Sequence, residues 1–262
     1  MINRSTHLIA VALCLLTACN HHDSGPFDPS ISICLISPEL ASPLAEKCDE
    51  LTNAWGLMTI YTTVGQIIVA PSDTQTLNYQ WATASFLDGS GNSTTTAGSV
   101  TLNNRNLPAM SSSYYLEDSL ATLWNINSTN TWNIAGAGTV PTISFMTNGT
   151  LPDFTGTLPD TIFSTSGFTL NFNATNTTNA GLVRISIGTS GIRRRSNLVS
   201  TTNGTVSIPA TEMQQLKNYI SAHPNEPVLM ELALISYTVQ NFNNKPYAFA
   251  KTKTIVKNVV IN

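Results

Sequence analysis

From Leu57 onward the chain places apolar residues at every second position in short runs, and clusters of Gly, Asn, Asp, Pro and Ser cut the runs apart. This constrains the fold more than any other feature. Successive side chains of a strand point to opposite faces, so a period of two describes half-buried sheet. Short alternating strands at close spacing are the signature of sandwiches and barrels. Residues 58–62 and 66–69 open the series, and 79–86 alternates cleanly. A turn over 88–92 leads to a returning strand at 98–102, and Asn103-Asn104 turns again. Trp124-Asn125-Ile126 and Trp132-Asn133-Ile134 flank a polar stretch. Folded about Thr129, they predict a hairpin that pairs Trp124 with Ile134 and Ile126 with Trp132 on one face.

The stretch 151–159 has two prolines and a glycine and no period, which predicts a domain boundary. A second β series follows it. Residues 168–172 alternate, as do 182–187, with Val183, Ile185 and Ile187 expected inside and Arg184 and Ser186 outside. A strand at 205–208 follows the Asn203-Gly204 turn. Thr211-Glu212-Met213-Gln214 reads as a capping box that opens a helix with Met213, Leu216 and Ile220 on its apolar stripe, and Pro224 lies past its end. A short helix over 44–51 is also expected, capped by Ser42 with Pro43 at its first position. Two long strands, 228–239 and 246–261, close the chain around Asn243-Asn244. The expected fold is all-β, with two immunoglobulin-like or fibronectin-like β-sandwich domains and one or two short helices. The domains span 31–155 and 156–262.

The N-terminus carries an address. Arg4 supplies a positive start, and 8–16 is an apolar run too short for a bilayer, which takes about 20 residues. Thr17 and Ala18 are small, as a cleavage site requires. Leu16-Thr17-Ala18-Cys19 resembles the lipobox of bacterial lipoproteins. That resemblance implies a signal peptide over 1–18, a thioether-linked diacylglycerol on Cys19, and acylation of the new N-terminus. Acyl chains bury methylenes at about 0.8 kcal/mol each, which anchors a chain without a spanning helix. Residues 19–30 read as a flexible tether. Asn20 stands where an inner-membrane retention signal carries Asp, so the expected location is the outer membrane, on its periplasmic or cell-surface face.

Charged residues make up 10% of the chain and the formal net charge is -3, which removes the basic excess that nucleic acid demands. With 42% hydrophobic residues the chain is not of disordered composition. Cys14 leaves with the signal. Cys34 and Cys48 remain, an even pair in an oxidising compartment. A bridge between them would close a loop worth about 3 kcal/mol; two buried free thiols are the other reading.

A second resemblance covers roughly residues 80–262. Ala84-Ser85-Phe86, Gly98-Ser99-Val100-Thr101-Leu102-Asn103, Trp132-Asn133-Ile134-Ala135-Gly136, Leu158-Pro159-Asp160-Thr161-Ile162 with Ser166-Gly167-Phe168, and Lys245-Pro246-Tyr247-Ala248-Phe249 occur in that order. The pattern resembles a group of Bacteroidetes cell-envelope lipoproteins to which no activity is assigned. It implies a two-part β architecture and brings no site residues.

Motifs for chemistry are sparse. The chain after Cys19 has His21 and His22 on the tether and His223 beyond the helix. There is no G-x-S-x-G, Walker A, H-E-x-x-H or C-x-x-C. Paired acids suited to glycoside hydrolysis are Glu117 with Asp118 and Asp153 with Asp160. No metal site and no cofactor are expected. Binding signals are softer. Trp55 and Trp81 are candidate sugar contacts, whereas Trp124 and Trp132 are expected in the core. Arg193-Arg194-Arg195, a dense charge run in a charge-poor chain, is either an anion contact or a solvated edge. Lys251, Lys253 and Lys257 read as the same kind of edge. Ser119 and Thr161 sit in Asp-[Ser/Thr]-apolar triplets that resemble Bacteroidetes O-glycosylation sites. The expectation is a lipid-anchored envelope protein, not an enzyme, with a binding or structural role. Its partners are the membrane through Cys19 and a glycan or envelope protein. A surface glycan-binding accessory protein is the alternative, and an envelope hydrolase is a further one.

Overall fold

The computed structural model describes residues 54–70, 73–87, 95–110, 113–118, 126, 128–148, 150–172, 177–178 and 181–262. Cys19, Cys34, Cys48, Ser119, Trp124, the expected 44–51 helix and the 88–92 turn lie outside them. So do the expected signal peptide and tether.

The described chain is mostly strand. Its first half holds β1 (Gly56–Ala70), β2 (Asp73–Phe86), β3 (Val100–Leu102), β4 (Arg105–Leu107), β5 (Ala109–Met110), β6 (Ser113–Asp118), β7 (Asn130–Ile134), β8 (Ile143–Thr147) and β9 (Asp153–Phe154). Next come β10 (Thr161–Ile162), β11 (Phe168–Asn171), β12 (Thr177–Thr178), β13 (Leu182–Gly188), β14 (Arg193–Arg195), β15 (Val199–Ser200) and β16 (Thr205–Ile208). One helix, α1 (Ala210–Ala222), precedes β17 (Leu229–Phe242), β18 (Lys245–Asn258) and β19 (Val260–Ile261).

One long sheet runs β14-β13-β17-β18-β1-β2-β6-β5, with β15 also paired to β13. A second sheet runs β4-β3-β7-β8, and three two-stranded ribbons pair β11 with β16, β10 with β19 and β9 with β12. Both Asn-Asn pairs make two-residue hairpin turns. Asn103 and Asn104 take φ of 49° and 64°, and Asn243 and Asn244 take 51° and 61°. Positive φ at both central positions matches the twist of the flanking strands, and Asn tolerates it.

The long sheet does not respect a boundary at 155/156. β1 runs parallel to β18, with Gly56–Gln66 registered on Tyr247–Lys257. Strands from both expected domains are therefore hydrogen-bonded neighbours. One core, too, draws on both halves, joining Met58, Ile60 and Trp132 to Ile185, Leu232 and Phe249. The expected Trp124–Trp132 hairpin is also corrected: β7 pairs with β3 on one side and β8 on the other, so both its edges are filled.

The two faces of the long sheet differ. On the first, Met58 and Ile60, Ala82 and Ala84, Val183 and Ile185 meet the four-stranded sheet, the β11–β16 ribbon and α1. Phe145 of β8 packs 4.3 Å from Phe249 of β18, centroid to centroid. Met213 and Leu216 seat α1, as expected from its stripe. The capping box does not form: the helix begins at Ala210 with Pro209 as N-cap and no side-chain cap bond.

The lysines of β18 correct a second expectation. β18 lies between β17 and β1 and is not an edge. Lys251, Lys253 and Lys257 share the covered face with Phe249, and each ties the overlying chain to the sheet. Lys251 Nζ donates to the Ser128 carbonyl at 2.7 Å, and burial pushes its pKa below the usual lysine range. Lys253 Nζ meets Asp153 Oδ1 at 2.6 Å. Lys257 Nζ meets Asp160 Oδ1 at 2.8 Å and donates to the Leu158 carbonyl. Arg184 and Ser186, expected outside, are 3% and 7% exposed.

Candidate ligand-binding surface

A shallow groove of about 210 Å³ lies where β14 and β15 leave the long sheet beside β16. Arg195, Ser196, Asn197, Thr205, Ser207 and Pro209 are among its lining residues. Local geometry explains how it opens. β13 pairs first with β14 and then with β15, and the connecting 196–198 stretch bulges from the edge. Ser196 holds the bulge down, because its N–H donates to the Ile185 carbonyl and its Oγ accepts from Ile185 N–H at 3.0 Å. Alternation along β16 buries Val206 and Ile208 and exposes Thr205 and Ser207. The groove thus presents hydroxyls, an amide and a guanidinium. Ligand pockets usually span roughly 300–1,000 Å³, so this one suits a single small polar unit.

Strand parity sets Arg194 on the opposite face of β14 from Arg193 and Arg195. Arg193 Nη1 meets Glu231 Oε2 at 2.7 Å and ties β14 to β17. Arg194 Nε lies 3.1 Å from Glu212 Oε2, and its Nη2 donates to Gln215 Oε1 at 2.7 Å, which ties β14 to α1. Arg195 is exposed and lines the groove. The run is therefore two structural clamps and one groove residue.

Among the described residues, Trp55, Trp81 and Trp132 do not form one platform. Trp132 is fully buried. Trp55 is half-buried against the first core with Lys245 Nζ 3.8 Å from its ring centroid. Trp81 is half-buried against a different cluster and stacks on Tyr61 at 5.0 Å, 15° from parallel.

Asp153 and Asp160 are held by Lys253 and Lys257. Glu117 and Asp118 register opposite Trp81 and Gln80 on β6. His223 is the C-cap of α1 and stacks 4.1 Å from Tyr219, with Nδ1 2.9 Å from the Tyr219 carbonyl. Tyr219 donates its hydroxyl to Glu226 at 3.3 Å, and burial, then the Glu226 charge, raises its pKa. Thr161 is exposed on β10. Among the described residues no three His, Cys, Asp or Glu side chains gather as metal ligands, and no helix is long and apolar enough to cross a membrane.

Sequence reading missed Asn197, Thr205 and Ser207. Their residue types occur throughout the chain, and only the meeting of the 196–198 bulge with β16 sets them apart. Comparison with known proteins returns no matching family model, no matching curated protein and no matching solved structure.

Proposed function

We propose that this chain is a lipid-anchored cell-envelope protein whose role is non-catalytic, either binding or structural. One observation carries the reading: of the candidate reactive groups, Asp153, Asp160, Arg193, Arg194 and His223 are engaged in holding elements together. Asp153 and Asp160 secure the crossover chain, Arg193 and Arg194 clamp β14, and His223 caps α1. The scaffold is read as sandwich-like. The four-stranded sheet packs on β18 through Phe145 and Phe249, β16 of the ribbon packs on β13, and α1 lies against β14. Loops at its margins would carry recognition.

Glycan binding is the second reading, favoured by the Arg195–Asn197–Thr205–Ser207 groove rather than by tryptophans. Its donors and acceptors suit sugar hydroxyls or a uronic carboxylate. The test joins two measurements. Mass spectrometry of the chain purified from bacterial membranes should find an acylated N-terminus at Cys19, and Cys19→Ser should release the chain into the soluble fraction. Soluble ectodomain should then be titrated with a polysaccharide panel while reducing ends are counted. Binding that Arg195→Ala weakens tenfold or more supports the glycan reading, and absence of binding supports a structural one. Release of reducing ends overturns both.

A further inference from the structure

The groove between β15 and β16 is held in shape before any ligand arrives. One wall is the 196–198 bulge, the other is β16, and the 201–204 turn joins them. Ser196 pins the bulge to Ile185. β11 fixes β16, with Thr169 registered on Ser207 and Asn171 on Thr205. In the turn, Ser200 Oγ accepts from Thr202 N–H at 3.2 Å, Thr201 N–H donates to the Gly181 carbonyl, and Gly204 takes φ of 73°. Binding here orders little of the chain, and such preorganisation lowers its cost. The lining is also charged in one sense. Arg195 is the charged residue among the described lining residues, and no carboxylate joins it. The carboxylates that approach β14, Glu231 and Glu212, meet Arg193 and Arg194 instead.

We propose that the groove takes one acidic sugar unit, a hexuronate ring, with its carboxylate on Arg195 and its hydroxyls on Asn197, Thr205 and Ser207. A guanidinium carries five N–H donors in a planar fork, so it can serve a protein acceptor and a ligand carboxylate together. Alternation sets Thr205 and Ser207 on the same exposed face of β16, about 7 Å apart along the strand, where their hydroxyls reach two edges of one ring. Val199 and Pro209 add apolar surface for the C–H face of the ring. The Ser196 hydroxyl takes no part, because it accepts from Ile185 N–H and donates to the Asn197 carbonyl. This inference rests on the glycan reading above and deepens it. Arg195 is the residue that selects an acidic sugar over its neutral counterpart.

Calorimetry on the full chain in detergent tests it. The probes are di- and trisaccharides of glucuronic and galacturonic acid, and the same sugars reduced at the carboxyl to neutral hexoses. Carboxyl reduction should weaken binding by about tenfold or more in the parent chain and by less than about threefold in Arg195→Ala. Thr205→Val should weaken acidic and neutral forms by similar factors. Raising NaCl from about 0.05 M to about 0.5 M should weaken the acidic form alone, a readout that needs no variant. Equal binding of both forms overturns this inference and leaves the glycan reading standing. An acid preference that survives Arg195→Ala, that ignores salt, or that acetate abolishes at equal concentration overturns it as well. Binding of neither form overturns both readings.

Discussion

Gly65→Ala should destabilise the whole chain by about 3–5 kcal/mol, and the reasoning is local. Gly65 lies inside β1 with Leu77 of β2 registered on one side and Val256 of β18 on the other. Its φ is +148°, a region that L residues avoid at a cost of about 1–3 kcal/mol. A Cβ there would overlap the Val256 carbonyl oxygen and lie 2.9 and 3.0 Å from its carbonyl carbon and nitrogen. All three are backbone atoms, so relief requires β1 and β18 to separate, and such overpacking costs about 1–3 kcal/mol more. Gly138→Ala is the control: its φ is +56°, and a Cβ there meets nothing within 4 Å. Only the left-handed penalty of about 1–2 kcal/mol applies. Urea unfolding followed by tryptophan fluorescence and by far-ultraviolet circular dichroism reads both effects. With a slope of about 2–3 kcal/mol/M, Gly65→Ala should lower the midpoint by more than about 1 M, with both signals moving together. Equal losses at Gly65 and Gly138 would refute the steric argument. A separate, unshifted transition from the C-terminal half would refute the claim that β1 and β18 bind the two halves into one cooperative sheet.

The remaining predictions concern charged and polar groups. Lys253–Asp153 should show a coupling energy of about 0.5–1 kcal/mol in a double-mutant cycle. Lys257–Asp160 should show about 0.2–0.5 kcal/mol, because the Asp160 side chain is 88% exposed and solvent screens it. Tyr247 is fully buried with no partner for its hydroxyl, and burial pushes its pKa up to about 12. A raised folded pKa means that its stabilising share is complete below about pH 10 and is lost as pH climbs towards 12. Tyr247→Phe should therefore be neutral or slightly stabilising at pH 7, and its denaturation midpoint should fall less between pH 10 and 12 than that of the parent chain. Thr252→Val, which removes an orphan hydroxyl at constant shape, should raise stability by about 1 kcal/mol in thermal unfolding.

Local chemistry was legible in the sequence. The two Asn-Asn turns, the long closing hairpin, the stripe of α1 and the alternation of β11 and β16 depend on neighbours in the chain, and a strand or turn reports its neighbours directly. What only the tertiary structure decided is which side of each strand is inside. Lys251, Lys253 and Lys257 alternate like an exposed edge, and they are covered because the 128–160 crossover lies over them with a carbonyl or carboxylate at each ammonium. The parallel β1–β18 pairing joins residues about 190 positions apart and leaves no short-range mark, so the proline-rich 151–159 stretch looked like a boundary when it is a crossover. The groove was equally hidden. Hydroxyl and amide side chains cover this charge-poor chain, and a site made of them exists only where the fold draws several to one place. Period and turn chemistry are properties of a segment, whereas burial belongs to whatever the rest of the chain lays on top of it.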